Sequence, residues 1–235
     1  MRKSGPLVGL SILLVFWPAM RISAQNPAPA MNAGTITQAR IEPPRIIFSP
    51  SPAVLVLIDG DPAYRNVDGT SLQRVVNTKA LILRDETDVH YLRIHSGWME
   101  AYSLDDWWSR SGVAPEGARI ALSQAVASKS VDLLDDGKRQ DIDASEMPAI
   151  YVSTVPAVLI VTDGPPRFAT IPGTSLEYME NTSATVFREP TDQELYLLLS
   201  GRWFRSWKTE GPWQFVASDQ LPGDFAKIPG NLLKR

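Results

Sequence analysis

Tryptophan is the residue type best placed to do chemistry here. Six of the seven tryptophans fall in two groups of three: Trp98, Trp107 and Trp108, then Trp203, Trp207 and Trp213. A flat indole on a rigid strand can stack on the apolar face of a sugar ring while nearby polar groups hold the hydroxyls. Trp203 and Trp207 are four residues apart, a spacing that puts two side chains on one face of a strand about 13 Å apart. Arg202 and Arg205 flank them and supply hydrogen bonds or cation–π contacts. Tyr102 stands where the second group has Trp207, and Trp107 has no aromatic counterpart there. The candidate ligand-binding set is therefore Trp207, Trp107, Tyr102, Arg202, Arg205, Trp203 and Trp213. The competing role is core packing, strongest for Trp203 and Trp213 because they recur at structural spacing.

Other chemistries are less well provided for. His90 and His95 lie five apart, so on a strand they face opposite sides and cannot share a metal. Asp59 and Asp163 recur, but each precedes glycine and reads as turn chemistry. Asn77-Thr78 and Asn181-Thr182 read as bulge or turn positions. The acidic stretch Asp132–Glu146 lacks the alternating order and twelfth-position Glu of a calcium loop, so it reads as a solvated surface. There is no cysteine, no nucleophile elbow, no zinc-protease helix and no phosphate loop. The expectation is a protein that is not an enzyme and uses no metal and no cofactor.

The elements that must position the aromatics are written twice. Shifted by 104 positions, Ile46–Gly97 lies on Ile150–Gly201 without a gap, with 21 identities in 52 positions. One deletion after that point brings Trp98 onto Trp203, Tyr102 onto Trp207 and Trp108 onto Trp213. A fixed-period repeat predicts two modules of one fold. Within each copy, short apolar runs bounded by turn formers predict six or seven strands in a meander, with Asp59-Gly60 and Asp163-Gly164 reversing the chain. Between the copies, Ala118–Leu134 carries Ile120, Ala121, Ala125, Val131 and Leu134 at near-helical spacing, which predicts one or two helices.

Arg2 and Lys3, the apolar run Leu7–Phe16 and Ile22-Ser23-Ala24 read as a secretory signal peptide. Its removal leaves 20 basic residues against 26 acidic ones, which argues against nucleic acid and anionic membranes as partners. No later segment is long and apolar enough to span a bilayer.

The second copy resembles modules of large, mostly uncharacterised envelope proteins of Gram-negative bacteria. Ile150–Ile160, Tyr196–Phe204, Gly211-Pro212-Trp213 and Leu221–Pro229 carry the resemblance. Some members are described as carbohydrate-binding, of family V/XII type. The resemblance implies a periplasmic or envelope location and a glycan or an envelope protein as partner.

The expected organisation is a mainly β chain of two similar small antiparallel β modules in tandem. A signal peptide spans residues 1–24, a Pro/Ala-rich spacer 25–44, module 1 45–114, a helical and acidic linker 115–148, and module 2 149–235. The expected function is non-catalytic binding of carbohydrate or cell-wall glycan in the envelope. The alternative is a structural or protein-interaction scaffold there.

Overall fold

The computed structural model describes residues 42–95, 97–134 and 147–233. The signal peptide, most of the spacer and the acidic linker over residues 135–146 lie outside the described residues. Ile41–Arg235 forms one unit, whose described residues build sixteen strands that run twice through one order. In repeat 1 these are β1 Arg45–Ser49, β2 Ala53–Leu57, β3 Tyr64–Asn66, β4 Gln73–Val75, β5 Ile82–Arg84, β6 His90–Ile94, β7 Gly97–Ala101 and β8 Ser109–Arg110. In repeat 2 they are β9 Ala149–Ser153, β10 Ala157–Val161, β11 Phe168–Thr170, β12 Glu177–Met179, β13 Thr185–Glu189, β14 Glu194–Leu199, β15 Arg202–Ser206 and β16 Gln214–Val216. The chain is mainly β, and β3–β8 and β11–β16 each form a six-stranded antiparallel meander.

Each meander is buried on both faces because its strands alternate. In repeat 1, Ile82, Leu92, Ile94 and Met99 enter one core, while Leu83, Tyr91 and Trp98 belong to another. In repeat 2, Val186, Leu197 and Phe204 enter one core and Phe187, Tyr196 and Trp203 the other. That is the period-two pattern of a sheet covered on both sides.

The first two strands of each repeat stay outside the meanders. β1 pairs in parallel with β10, Ile46 opposite Val158 and Phe48 opposite Ile160. β2 pairs in parallel with β9, Val54 opposite Ile150 and Val56 opposite Val152. Each repeat therefore lends its first strand to the other. Ile46 and Phe48 pack in the repeat 2 core with Ile160 and Trp213, while Val152 and Ile150 pack in the repeat 1 core with Val56 and Trp108. The crossing points match: Arg45 N donates to Pro156 O and Ala149 N to Pro52 O, both at 2.9 Å. Ser49 and Ser153 are buried, and their hydroxyls donate to Ser51 O and Val155 O.

Asp59-Gly60 and Asp163-Gly164 do turn the chain, with Gly60 and Gly164 at φ 75° and 76°, but they close no hairpin. Each leads into a loop clamped by an asparagine. Asn77 Nδ2 donates to Asp59 O and Asp61 O while its Oδ1 accepts from Ala63 N. Asn181 repeats this with Asp163 O, Pro165 O and Arg167 N. The next hydroxyls, of Thr78 and Thr182, donate to Leu57 O and Val161 O.

The outer cores are covered differently. In repeat 1 a helix, α1 Ala118–Ala127, lies over Leu72, Leu81 and Leu83. It buries Ala118, Ala121 and Ala125 and leaves Ile120 and Val126 exposed, so of the positions that predicted a helix Ala121 and Ala125 dock it and Ile120 does not. Small side chains allow a close approach, and Gly117 shows how close. At φ 80°, a Cβ there would sit 2.7 Å from Thr70 Cγ2. Repeat 2 uses one ring instead. Phe225, in the 3₁₀ turn Gly223–Lys227, lies 4.8, 5.2 and 5.9 Å from the rings of Tyr196, Trp203 and Phe187. Asp224 accepts from Lys227 Nζ first of all, then from Ser175 N and Ser175 Oγ, which holds its carboxyl down at about 2.

The two repeats slip by one residue earlier than the identities suggest. Arg84 pairs with His90 across a five-residue turn, whereas Glu189 pairs with Glu194 across four. Because Arg84 corresponds to Arg188, repeat 2 carries its extra residue in this turn. From there on His90, Leu92 and Ile94 correspond to Leu195, Leu197 and Leu199, not to Glu194, Tyr196 and Leu198. Gly97 pairs with Ile94 as Arg202 pairs with Leu199, so Gly97 corresponds to Arg202 and not to Gly201.

The mutual loan of strands has a direct test. A protease site inserted after Gly137, in the segment joining the repeats, should be cleavable without separating them. The halves should elute together from a sizing column and part only on unfolding. Separation in native buffer would show that the strand pairs do not hold the repeats together.

Candidate binding surface

The candidate residues gather at two equivalent loops. Residues 102–108 join β7 to β8, and 207–213 join β15 to β16. Both loops are built alike. Asp106 N donates to Ser103 O, and Gly211 N to Lys208 O. The last residue of each is a buried tryptophan whose indole N–H donates to the carbonyl four residues back, Trp108 to Leu104 O at 3.3 Å and Trp213 to Thr209 O at 3.2 Å. That bond satisfies the one polar group of a buried indole. The anchoring tryptophan is therefore structural in both copies.

The aromatic opening each loop is exposed. Tyr102 is 82% and Trp207 71% accessible, and Trp107, absent from repeat 2, is 81% accessible. These are large rings at positions that no core requires. Trp203 does not share a surface with Trp207. Trp203 is buried among Phe187, Phe225 and Tyr196, while β15 ends at Ser206 and releases Trp207 into the loop. The expected shared face of residues 203 and 207 fails because the strand stops one residue too soon. Of the seven candidates, Trp207, Trp107 and Tyr102 lie open, Arg202 and Arg205 are exposed on β15, and Trp203 and Trp213 are core.

Arg205 has a partner within the fold. Arg205 Nε stands 3.6 Å from Oε1 of the buried Glu194, whose Oε2 accepts from the Tyr196 hydroxyl at 2.7 Å. Burial and that carboxylate push the Tyr196 phenol up. The arginines lying over rings are Arg84 on Tyr64 at 3.8 Å, Arg188 on Phe168 at 4.0 Å and Arg93 on Trp98 at 5.7 Å. The first two are the same contact in the two repeats. Each is steadied by the cross-strand residue, Gln73 for Arg84 and Glu177 for Arg188. Sequence reading missed this pair, although the shared Arg84 and Arg188 marked it.

Repeat 1 alone has a polar pair in its inner core. His90 is buried, and its Nε2 is hydrogen-bonded to the Tyr64 hydroxyl at 2.8 Å. Repeat 2 has Leu195 and Phe168 at these places. Burial first, then the Arg84 charge, holds the His90 imidazole below the ordinary histidine range; the Tyr102 backbone, Asp88 and Asp85 act the other way without reversing it. His95 is not on a strand face at all. It sits in the β6–β7 turn at φ 47°, so the two histidines are separated by their setting and not by strand alternation.

Two open grooves, of about 480 and 680 Å³, lie on repeat 1 and include none of the candidate residues. The smaller is lined by Thr70, Gln73, Asp85 and Asp88, the larger by Arg65, Arg74, Gln124 and Ser128. Among the described residues no group of three or more histidines and carboxylates is disposed to hold a metal ion, and no helix is long and apolar enough to cross a membrane.

The His90 pair makes stability depend on pH. The unfolded histidine takes up its proton near pH 6.5, while the folded one resists to lower pH. Stability is therefore lost as pH falls below about 6.5, through the interval down to the folded value. Replacing Tyr64 with Phe and His90 with Leu, the repeat 2 pair, should flatten melting temperature over that interval. An unchanged slope would show that His90 is not its source. Separately, Trp203→Ala should cost about 3–5 kcal/mol in denaturant unfolding, as a large core truncation does.

Comparison with family models, curated proteins and solved structures finds no match to this chain.

Proposed function

We propose that the chain is an exported, non-catalytic binding protein of the bacterial envelope that holds carbohydrate or cell-wall glycan on its two aromatic loops. The observation behind this reading is the exposure of Trp207, Trp107 and Tyr102 on loops pinned by a buried, hydrogen-bonded tryptophan. An exposed ring on a mobile loop would lose much of its stacking energy in being ordered. On these loops the anchor holds the backbone from within. A sugar's axial hydrogens offer the apolar face that such a ring takes, and Lys208, Thr209 and Glu210 in one loop and Asp105 and Asp106 in the other offer hydrogen bonds at its rim. Two such loops in one chain suit a polymer, because a second contact with the same strand is made at high effective concentration.

The scaffold reading draws on a different feature. Leu57 and Val155, 45% and 53% accessible, are apolar residues on β2 and on the β9–β10 connection, where the repeats cross. A protein partner covering the junction would bury them.

Binding of the mature chain to a glycan array and to isolated cell-wall sacculi separates the two. If the loops bind glycan, Trp207→Ala should weaken retention by about 1–3 kcal/mol without changing the melting temperature. Equal retention by the variant, or none by the parent, would remove glycan as the ligand. Loss of a protein partner on Val155→Asp would then support the scaffold.

A further inference from the structure

β1 cannot complete its own repeat. Only Pro50, Ser51 and Pro52 separate it from β2. Strands paired in parallel need a crossover of about a dozen residues or more, so three residues cannot lay β1 beside β2 in the direction in which β9 lies there. A tight hairpin would run β1 antiparallel and is not the pairing that either repeat uses. The seat built for β1 is the edge of β10 in the other repeat. There Ile46 and Ile47 are buried and Phe48 stacks on Trp213 at 6.1 Å with planes 12° apart.

That seat recognises the arm through backbone ladder bonds and apolar side chains, all of which another chain's β1 would present identically. The hinge is exposed at all three residues and carries two prolines, which favour an extended connection over a folded-back one. We propose that β1 is an exchangeable arm and that the partner it fits is a second copy of this chain, the two chains trading their Arg45–Ser49 strands. This does not depend on what the aromatic loops bind.

Within one chain the arm meets its seat at a high effective concentration, of order millimolar for a short tether. Exchange should therefore appear when chains fold together at high concentration. It should persist afterwards, since release exposes Ile46, Ile47 and Phe48 to water.

The absence of cysteine gives a clean assay. Ile47 faces Leu159 in the ladder. Chains carrying Ile47→Cys and chains carrying Leu159→Cys are mixed, unfolded, refolded together under mild oxidation and sized without reductant. The expected product is a covalent dimer of one chain of each kind, its share rising several-fold as the refolding concentration is raised about tenfold. The double variant Ile47→Cys/Leu159→Cys, refolded dilute, should close within one chain and shows that the two thiols can meet. The proposal is overturned if the double variant closes while the mixture gives no mixed dimer. It is equally overturned if like-with-like dimers form as readily as mixed ones. Should either substitution prevent folding, Arg45→Cys with Ala157→Cys, at the more exposed end of the same ladder, carries the same test.

Discussion

The reciprocal parallel pairing of β1 with β10 and β2 with β9 is the constraint on which the other features rest. A six-stranded meander of short strands has two faces to cover, and a module of fewer than about 90 residues has little chain left to cover them. Here the inner face of each meander is covered by a two-stranded ribbon, one strand from each repeat. The inner cores therefore contain residues from both repeats, Val152 beside Val56 in one and Ile46 beside Ile160 in the other. No disulfide is available to a cysteine-free chain. The threading of one repeat through the other supplies a long-range tie of a different kind, at the cost of making neither repeat complete alone.

Much of this fold is legible in the sequence, and what is not has identifiable causes. The strands of the meanders follow from short apolar runs bounded by turn formers, and the shared Asn-Thr and Gly-Thr pairs mark the clamps and turns that hold them. The partner of β1 is not legible, because an apolar strand before a short turn looks the same whether it folds back or reaches across. The one-residue slip was hidden by the shared Ser-Gly dipeptides, whose glycines, Gly97 and Gly201, match by type and not by place. The core face held the better signal: His90, Leu92 and Ile94 share the inward side with Leu195, Leu197 and Leu199. The helix was legible as a helix, and Ala121 and Ala125 of its docking face were among the positions that predicted it, whereas Ile120 is exposed.

Among the aromatics, recurrence separated the roles. Trp98 and Trp203 support the outer layers, and Trp108 and Trp213 close the loops by their indole N–H bonds. The position that changes type between copies, Tyr102 against Trp207, and the one without a counterpart, Trp107, are the exposed ones. A residue that packs in both copies must satisfy the same neighbours twice, whereas an exposed one is free to differ. Spacing did not display the relation of Arg205 to the buried Glu194 across the sheet.

The loops also rest on different floors. Under Trp213 lies the ring of Phe48, nearly parallel to it, while the strand position matching Phe48 in the other half is Val152, packed in the core that holds Trp108. Two copies of a single repeat joined as a symmetric pair would have identical floors and identical loops, since one codon would serve both. Joining the copies in one chain removes that identity. Each half can acquire its own rim charges, its own anchor support and its own inner pair, Tyr64 with His90 or Phe168 with Leu195, while the shared ribbon holds their relation fixed. The doubled chain is thus a symmetric frame carrying two separately adjustable surfaces.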